Sequence, residues 1–140
     1  MRVTTRSRYA IRALYALAIA GGDKNPVSLK KISEMESISM KYLERLFSNL
    51  IKAGIVNSIR GVYGGYVFNK PLNEVTLLDV VEVMDGNIKP VDCIDDEGCE
   101  RAESCSINWI WFELKNIIEN YLSKITFYDL VHKKKNLMGV

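Results

Sequence analysis

Histidine is nearly absent from this chain. The single copy, His132, stands in a basic tail, and no serine–histidine–acid set can be read around it. No glycine-rich phosphate loop and no pair of catalytic carboxylates stands out, so an enzyme is not expected. No apolar run reaches the ~18 residues that a membrane-spanning helix needs. Internal repeats and low-complexity segments are missing as well. Cysteine is scarce, with three copies in 140 residues, and an odd number cannot be fully paired in disulfides.

The opening "MRVTTRSRYAIRALYALAIAGG" has the outline of a secretory signal, but Arg12 interrupts its apolar part. The same residues make an amphipathic helix from about Ser7 to Ala20. Ala10, Ala13, Leu14 and Leu17 lie near one face, with Arg8 and Arg12 off it. A structural helix and a cytoplasmic protein are therefore expected, and a structural disulfide is not.

Apolar residues make up 48% of the chain and charged residues 26%, the balance of a globular protein. The net charge of +2 hides an uneven distribution. Residues 1–60 carry eleven Lys or Arg against four Asp or Glu, a net of +7, whereas residues 61–140 carry eight against thirteen, a net of −5. Such asymmetry points to an anionic partner for the first half.

After "GGDKNP" breaks the first helix, Ser28 can cap a short one with Leu29 and Ile32 facing inward. In "SISMKYLERLFSNLIKAG" Ser39 is the N-cap; Leu43, Leu46, Phe47 and Leu50 form a helical stripe, and Gly54 is the stop. "IVNSIR" and "GYVFNK" read as two strands joined through the glycine-rich "GVYGG". Thr76 and Asp79 open another helix as a capping box, with Leu77, Val80, Val81 and Met84 on its inner face. "INWIWFELKNIIENYLSKI" is a long helix with apolar residues at 107, 110, 111, 114, 117, 118, 121 and 125, a stripe wider than one small domain needs. Thr126 and Asp129 frame a last short helix.

Helix, helix, helix, hairpin, helix is the order of a winged helix-turn-helix, a mainly α fold with a β-hairpin wing, followed here by a long C-terminal helix to which the family resemblance given below assigns dimerisation. The expected division is a DNA-binding domain over 1–86, a cysteine loop over 87–106, the dimerisation and short helices over 107–132, and a flexible tail over 133–140. In this arrangement the second helix of the pair enters the major groove of duplex DNA. The apolar stripe leaves Lys41, Tyr42, Glu44 and Arg45 pointing outward. Lys41 and Arg45 suit phosphate or guanine, and Glu44 suits a cytosine amino group. In the wing, Arg60 suits a narrow minor groove, while Gly61, Gly64 and Gly65 let the backbone come close. Ser39 and Tyr63 complete the candidate DNA-binding set.

All three thiols fall in "PVDCIDDEGCERAESCSINW", as Cys93, Cys99 and Cys105. Asp92, Asp95, Asp96, Glu97, Glu100 and Glu103 surround them and oppose bare thiolates, an opposition a cationic metal centre would reverse. Zinc usually takes tighter spacings and a fourth nitrogen or sulfur. An iron–sulfur cluster tolerates a wider loop. Unliganded thiols remain an alternative.

The phrases "RYAIRAL", "ISMKYLERLFSNLIKAGIVNSIRG", "GGY", "DVVEVMDG", the three-cysteine loop and "ITFYDLV" together resemble the Rrf-two family of bacterial transcription regulators, from Met1 to about Val131. The resemblance is strongest to its iron–sulfur-sensing branch. It implies a cytoplasmic homodimeric repressor or activator that binds a pseudo-palindromic promoter and has no membrane contact. The long helix, Ile107 to Ser123, would cross that of the partner. The resemblance also implies a cluster on Cys93, Cys99 and Cys105, 2Fe-2S in preference to 4Fe-4S, that reports cluster, redox or nitric oxide status. Glu44, Arg60 and the position of Lys41 match the family's promoter-reading residues, with Lys41 replacing a small polar residue. Where the branch has a histidine three residues after the third cysteine, this chain has Asn108, a neutral hard ligand and a weak candidate for the fourth position. Nitric-oxide-sensing relatives use an aspartate from the partner's first helix, at the position of Arg8 here. A loop carboxylate, Asn108, water or an external thiol could complete the set. The alternative is a cluster-free regulator using a thiol switch or an effector of sulfur metabolism.

Overall fold

The computed structural model describes residues 2–94, the Cys93 side chain apart, and 105–133. Its helices are α1 (Thr5–Ile19), α2 (Leu29–Glu36), α3 (Met40–Lys52), α4 (Leu77–Asp85), α5 (Asn108–Lys124) and α6 (Phe127–His132). Its strands are β1 (Val56–Ile59) and β2 (Gly65–Phe68), an antiparallel pair in which Val56 faces Phe68 and Ile59 faces Gly65. This is the expected mainly α, winged helix-turn-helix fold.

Short polar side chains start every helix but α5, which begins after Ile107, by satisfying amide donors that no helical carbonyl reaches. Ser28 Oγ accepts from the Lys31 amide at 3.2 Å, and Ser39 Oγ from the Tyr42 amide at 3.2 Å. Both capping boxes form, Thr76 with Asp79 and Thr126 with Asp129. The first helix begins two residues earlier than expected because Thr4, not a later serine, is its cap. Between α2 and α3, Ser37 takes a left-handed φ of 55°, and the Ser33 hydroxyl donates to the Ile38 carbonyl at 2.6 Å. That closes the tight turn of the helix pair.

Leu14, Leu17, Ile32, Leu43, Phe47, Leu50, Val56 and Val80 form a single core without solvent contact. Phe127 of α6 is also fully buried in it, and α6 is held by the Leu77 amide to the Ile125 carbonyl (2.9 Å) and the Phe127 amide to the Val75 carbonyl (3.0 Å). The short helix grouped with the long one by sequence therefore packs into the winged-helix core. The long helix behaves differently, with no residue of α5 fully buried. Trp111, Ile118 and Leu122 are half-buried, while Ile107, Ile110, Leu114, Ile117 and Tyr121 are exposed, Ile117 at 64% and Tyr121 at 62%.

Two long-range contacts fix the frame. At the first, Asp85 at the end of α4 clamps the start of α1. It accepts from the Thr4 hydroxyl, from the Thr4 amide at 3.2 Å, and from the buried Ser7 hydroxyl at 2.7 Å. Burial alone would raise the Asp85 pKa, but the bonds from Thr4 and Ser7, with Arg6 nearby, outweigh it and hold the carboxyl below its ordinary range. At the second, β2 lies against the segment before α2, as the Val27 and Tyr66 backbones exchange bonds of 2.9 and 2.8 Å. The approach is so close that a Cβ on Gly65, whose φ is +152°, would sit 2.2 Å from the Val27 carbonyl oxygen. A Cβ on Gly64 would sit 2.1 Å from the Ile59 carbonyl oxygen. Neither position admits a side chain.

Because the folded Asp85 pKa is depressed, its stabilisation is complete above the unfolded-state pKa and is lost as pH falls through the folded value. Asp85→Asn should therefore lower Tm at neutral pH, and the gap to wild type should close on acidification. A gap of equal size throughout the acid range would contradict the clamp. Gly65→Ala should cost more than about 1 kcal/mol by thermal unfolding, since it adds a backbone clash to a φ that alanine avoids. An unchanged Tm would show that β2 does not lie against Val27.

Candidate nucleic-acid interface

With Leu43, Leu46, Phe47 and Leu50 buried, the opposite face of α3 is polar by necessity. Lys41, Glu44, Arg45, Ser48 and Asn49 line one shallow, open groove along it. Ser48 and Asn49 lie beyond the set expected from sequence. The signal was available, since they continue the 41, 44, 45 face by one turn. Tyr42 differs from the outward position expected for it. It is half-buried, its ring 5.8 Å edge-on from Tyr9, where it sets α3 against α1. Arg12 lies over the Tyr9 ring, 5.0 Å from its centre, and its guanidinium donates to the Glu36 carbonyl at 2.6 Å. Ser39 is exposed and occupied in capping the helix.

The wing stands directly after α3. Its base is tied back by Asn69, whose amide donates to the Gly54 carbonyl at 3.0 Å and whose oxygen accepts from Asn57 at 2.6 Å. Phe47 and Tyr66 meet at 4.5 Å between ring centres, which couples the helix to the hairpin through the core. Arg60, Gly61, Val62 and Tyr63 are exposed, and Gly64 and Gly65 half-buried. From residue 45 to residue 73 the chain carries four cations, Arg45, Lys52, Arg60 and Lys70, and no carboxylate. An α-helix about 10–12 Å across fits a major groove about 12 Å wide. The surface offers it cations and amide, hydroxyl and guanidinium donors, with acceptors at Glu44, Ser48 and Asn49.

Of the expected metal ligands, Cys105 is half-buried three residues before α5 and is a free thiol. Asn108 is the first residue of α5, and the short turn Asp92–Ile94, whose backbone includes Cys93, packs against that helix. Both ends of the loop thus return to one element. The Cys93 side chain, Cys99, the carboxylates at 95, 96, 97, 100 and 103, and the tail beyond Lys133 lie outside the described residues. Among the described residues no three potential ligands gather at one point. His132 stacks on Tyr128 at 3.9 Å, with Nδ1 2.9 Å from that residue's carbonyl oxygen. Among the described residues no helix is long and apolar enough to cross a membrane.

Known proteins agree with this architecture. Residues 3–133 match the Rrf2 (Rrf-two) family, described as Iron-dependent Transcriptional regulator. The HTH-type transcriptional regulator IscR of Pectobacterium carotovorum is 38% identical over 137 residues, covering 98% of this chain and 83% of that protein. Among solved structures, CymR, the global cysteine regulator of B. subtilis, superposes with a TM-score of 0.79 at 33% identity, covering 96% of this chain and 99% of that one. The IscR of T. potens superposes with a TM-score of 0.71 at 29% identity, covering 99% and 96%. The chain belongs to the Rrf2 family of transcriptional regulators.

Proposed function

We propose that this regulator works as a cytoplasmic homodimer that reads a pseudo-palindromic promoter with α3 and the wing, and senses iron–sulfur cluster, redox or nitric oxide status through Cys93, Cys99 and Cys105. The observation that carries the DNA-reading part is the polar groove of Lys41, Glu44, Arg45, Ser48 and Asn49 on a helix whose other face is fully buried. Lys41 and Arg45 take phosphate or guanine, Glu44 takes a cytosine amino group, and Arg60 takes the flanking minor groove. Tyr42 acts by holding the angle of α3. Gly61, Gly64 and Gly65 shape the wing around Arg60.

The homodimer reading is supported by the exposed residues of α5. Ile107, Ile110, Leu114, Ile117 and Tyr121 follow an alternating three- and four-residue spacing, the seam along which two helices pack. A seam of this kind left in water is costly, at about 25 cal/mol for each Å² of apolar surface. A second copy would cover it and set two α3 helices on one duplex.

The metal reading rests on the donor set. Three thiols are available, and the backbone carrying Cys93 packs on the helix that Cys105 precedes. Thiolates at Cys93, Cys99 and Cys105 would hold an iron–sulfur cluster, 2Fe-2S in preference to 4Fe-4S, with the fourth ligand open between Asn108, a loop carboxylate, water and an external thiol. A bound cluster would supply a cationic, redox-active centre inside an acidic segment. A second reading, a cluster-free thiol switch or a response to a sulfur-metabolism effector, is favoured by Asn108 and by the likeness to a cysteine regulator.

Two results test these roles. Arg45→Ala should weaken binding to the best duplex selected from a random pool by about 1–3 kcal/mol if Arg45 reads a base, or lower the log–log salt slope by about 0.9 if it neutralises a phosphate. Unchanged affinity and slope would remove α3 from the DNA. Anaerobically reconstituted wild type should absorb in the visible, and Cys99→Ala should abolish that absorption. An unchanged spectrum would rule out a cluster at this loop, and wild type purified without oxygen yet free of iron and sulfide would favour the second reading.

A further inference from the structure

A cavity of about 880 Å³ opens where the loop after α1, the end of β2 and α6 meet. Among the described residues none of its lining belongs to α3, the wing tip or α5. Its volume is that of a small-molecule site, roughly 300–1,000 Å³. The floor is preformed and apolar. The Phe68 amide donates to the Gly22 carbonyl at 2.8 Å, and the buried Phe68 ring lies 6.1 Å from that of Phe127 in α6. Leu72, also buried, extends this floor. On the α6 side Tyr128 and His132 stack at 3.9 Å with 20° between their planes. His132 Nδ1 donates to the Tyr128 carbonyl at 2.9 Å and holds the stack, so the cavity has an aromatic wall.

The rim is cationic. Lys24 and Lys70 are exposed at the mouth, and Asp23 is the only carboxylate among the described lining residues. Neither lysine is in an ion pair among the described residues. Two uncompensated ammonium groups above an apolar floor lack one thing, an anionic group with an apolar body behind it. A carboxylate forms charge-assisted hydrogen bonds with such donors, and a flat ring lies well on aromatic and aliphatic side chains.

We infer that this cavity binds a small aromatic carboxylate. Lys24 and Lys70 hold its charge, and Phe68, Leu72 and the Tyr128–His132 stack take its ring. Occupancy reaches the wing through Asn69, which lines the cavity and ties the Gly54 carbonyl beyond α3 to Asn57 of β1. The cavity lies at the end of β2 away from the wing tip, about 10 Å along the strand, so a bound molecule does not meet a duplex at that tip. The ligand therefore acts on the base of the wing and not by competing with DNA. This regulatory part rests on the DNA-reading function proposed above, whereas the binding site itself does not.

The test titrates benzoate into full-length, isotope-labelled protein without DNA and follows backbone amide NMR shifts. Saturable shifts are expected at residues 23–24, 68–73 and 128–132. Benzyl alcohol, which lacks the charge, and acetate, which lacks the ring, should each bind about tenfold or more weakly. K24A/K70A should weaken benzoate by a similar factor. Y128A/H132A should do the same while keeping the wild-type affinity for a selected duplex, because both side chains are exposed and outside α3 and the wing. Lys24→Ala alone, a surface change, covers the case that a double variant misfolds. Saturating benzoate should change the wild-type affinity for that duplex about fivefold or more, and Y128A/H132A should lose most of this response. Shifts that do not saturate, that fall on α5 instead, or that benzyl alcohol reproduces equally would overturn the site. A saturated site with unchanged duplex affinity would overturn its regulatory role. Failure of wild type to enrich any duplex from a random pool would overturn the DNA-reading function and leave the site standing.

Discussion

The close approach of the β2 backbone to Val27 is the constraint on which the presentation of the polar surface depends. It leaves no room for a Cβ at Gly65, and it joins three things at one point. The start of α2 follows at Ser28, the wing emerges from the other side, and Tyr66 meets Phe47 of α3 in the core. Helix pair and hairpin are therefore tied to one another by backbone and ring contacts. Asp85 does the same for the other side of the domain, holding the end of α4 to the first turn of α1. Together with the Asn69 bonds at the wing base, the Val27 contact fixes the polar face of α3 and the tip of the wing relative to one another.

Once the core is formed, the exposed remainder sorts into two kinds of surface. One is cationic, with Arg45, Lys52 and Arg60 on α3 and the wing. The other is apolar, with Ile107, Ile110, Leu114, Ile117 and Tyr121 along α5. Carboxylates concentrate around the cysteines and leave the α3–wing region free of all but Glu44. A duplex is repelled by the first of these regions and attracted to the second, so charge alone directs which side of the chain can approach nucleic acid.

Much of this could be read from sequence because it is local. The stripe on α3, the serine caps, both Thr–Asp capping boxes and the hairpin all depend on residues within a few positions of each other. What could not be read is long-range. Asp85 looks like the end of a helix until Thr4 and Ser7, some eighty residues away, are brought to it. Phe127 looks like part of a C-terminal appendage until its ring is found in the core. Within the candidate site, helical spacing places Tyr42 outward because it cannot see Tyr9 on a neighbouring helix. The outward residues of α3 follow from its apolar stripe, whereas the homodimer and the cluster type rest on the family resemblance and do not follow from periodicity.

The central claim is that two copies of the α3–wing surface lie on one duplex, helix in the major groove and hairpin tip in the minor groove. Hydroxyl-radical footprinting of the selected duplex measures this most directly. The expected pattern is two equivalent sets of protections related by a two-fold axis, with major-groove centres one helical turn, about 10–10.5 base pairs, or a multiple apart, each flanked by protection of the minor groove. A single unsymmetrical patch, or protection that leaves the flanking minor grooves open, would contradict it.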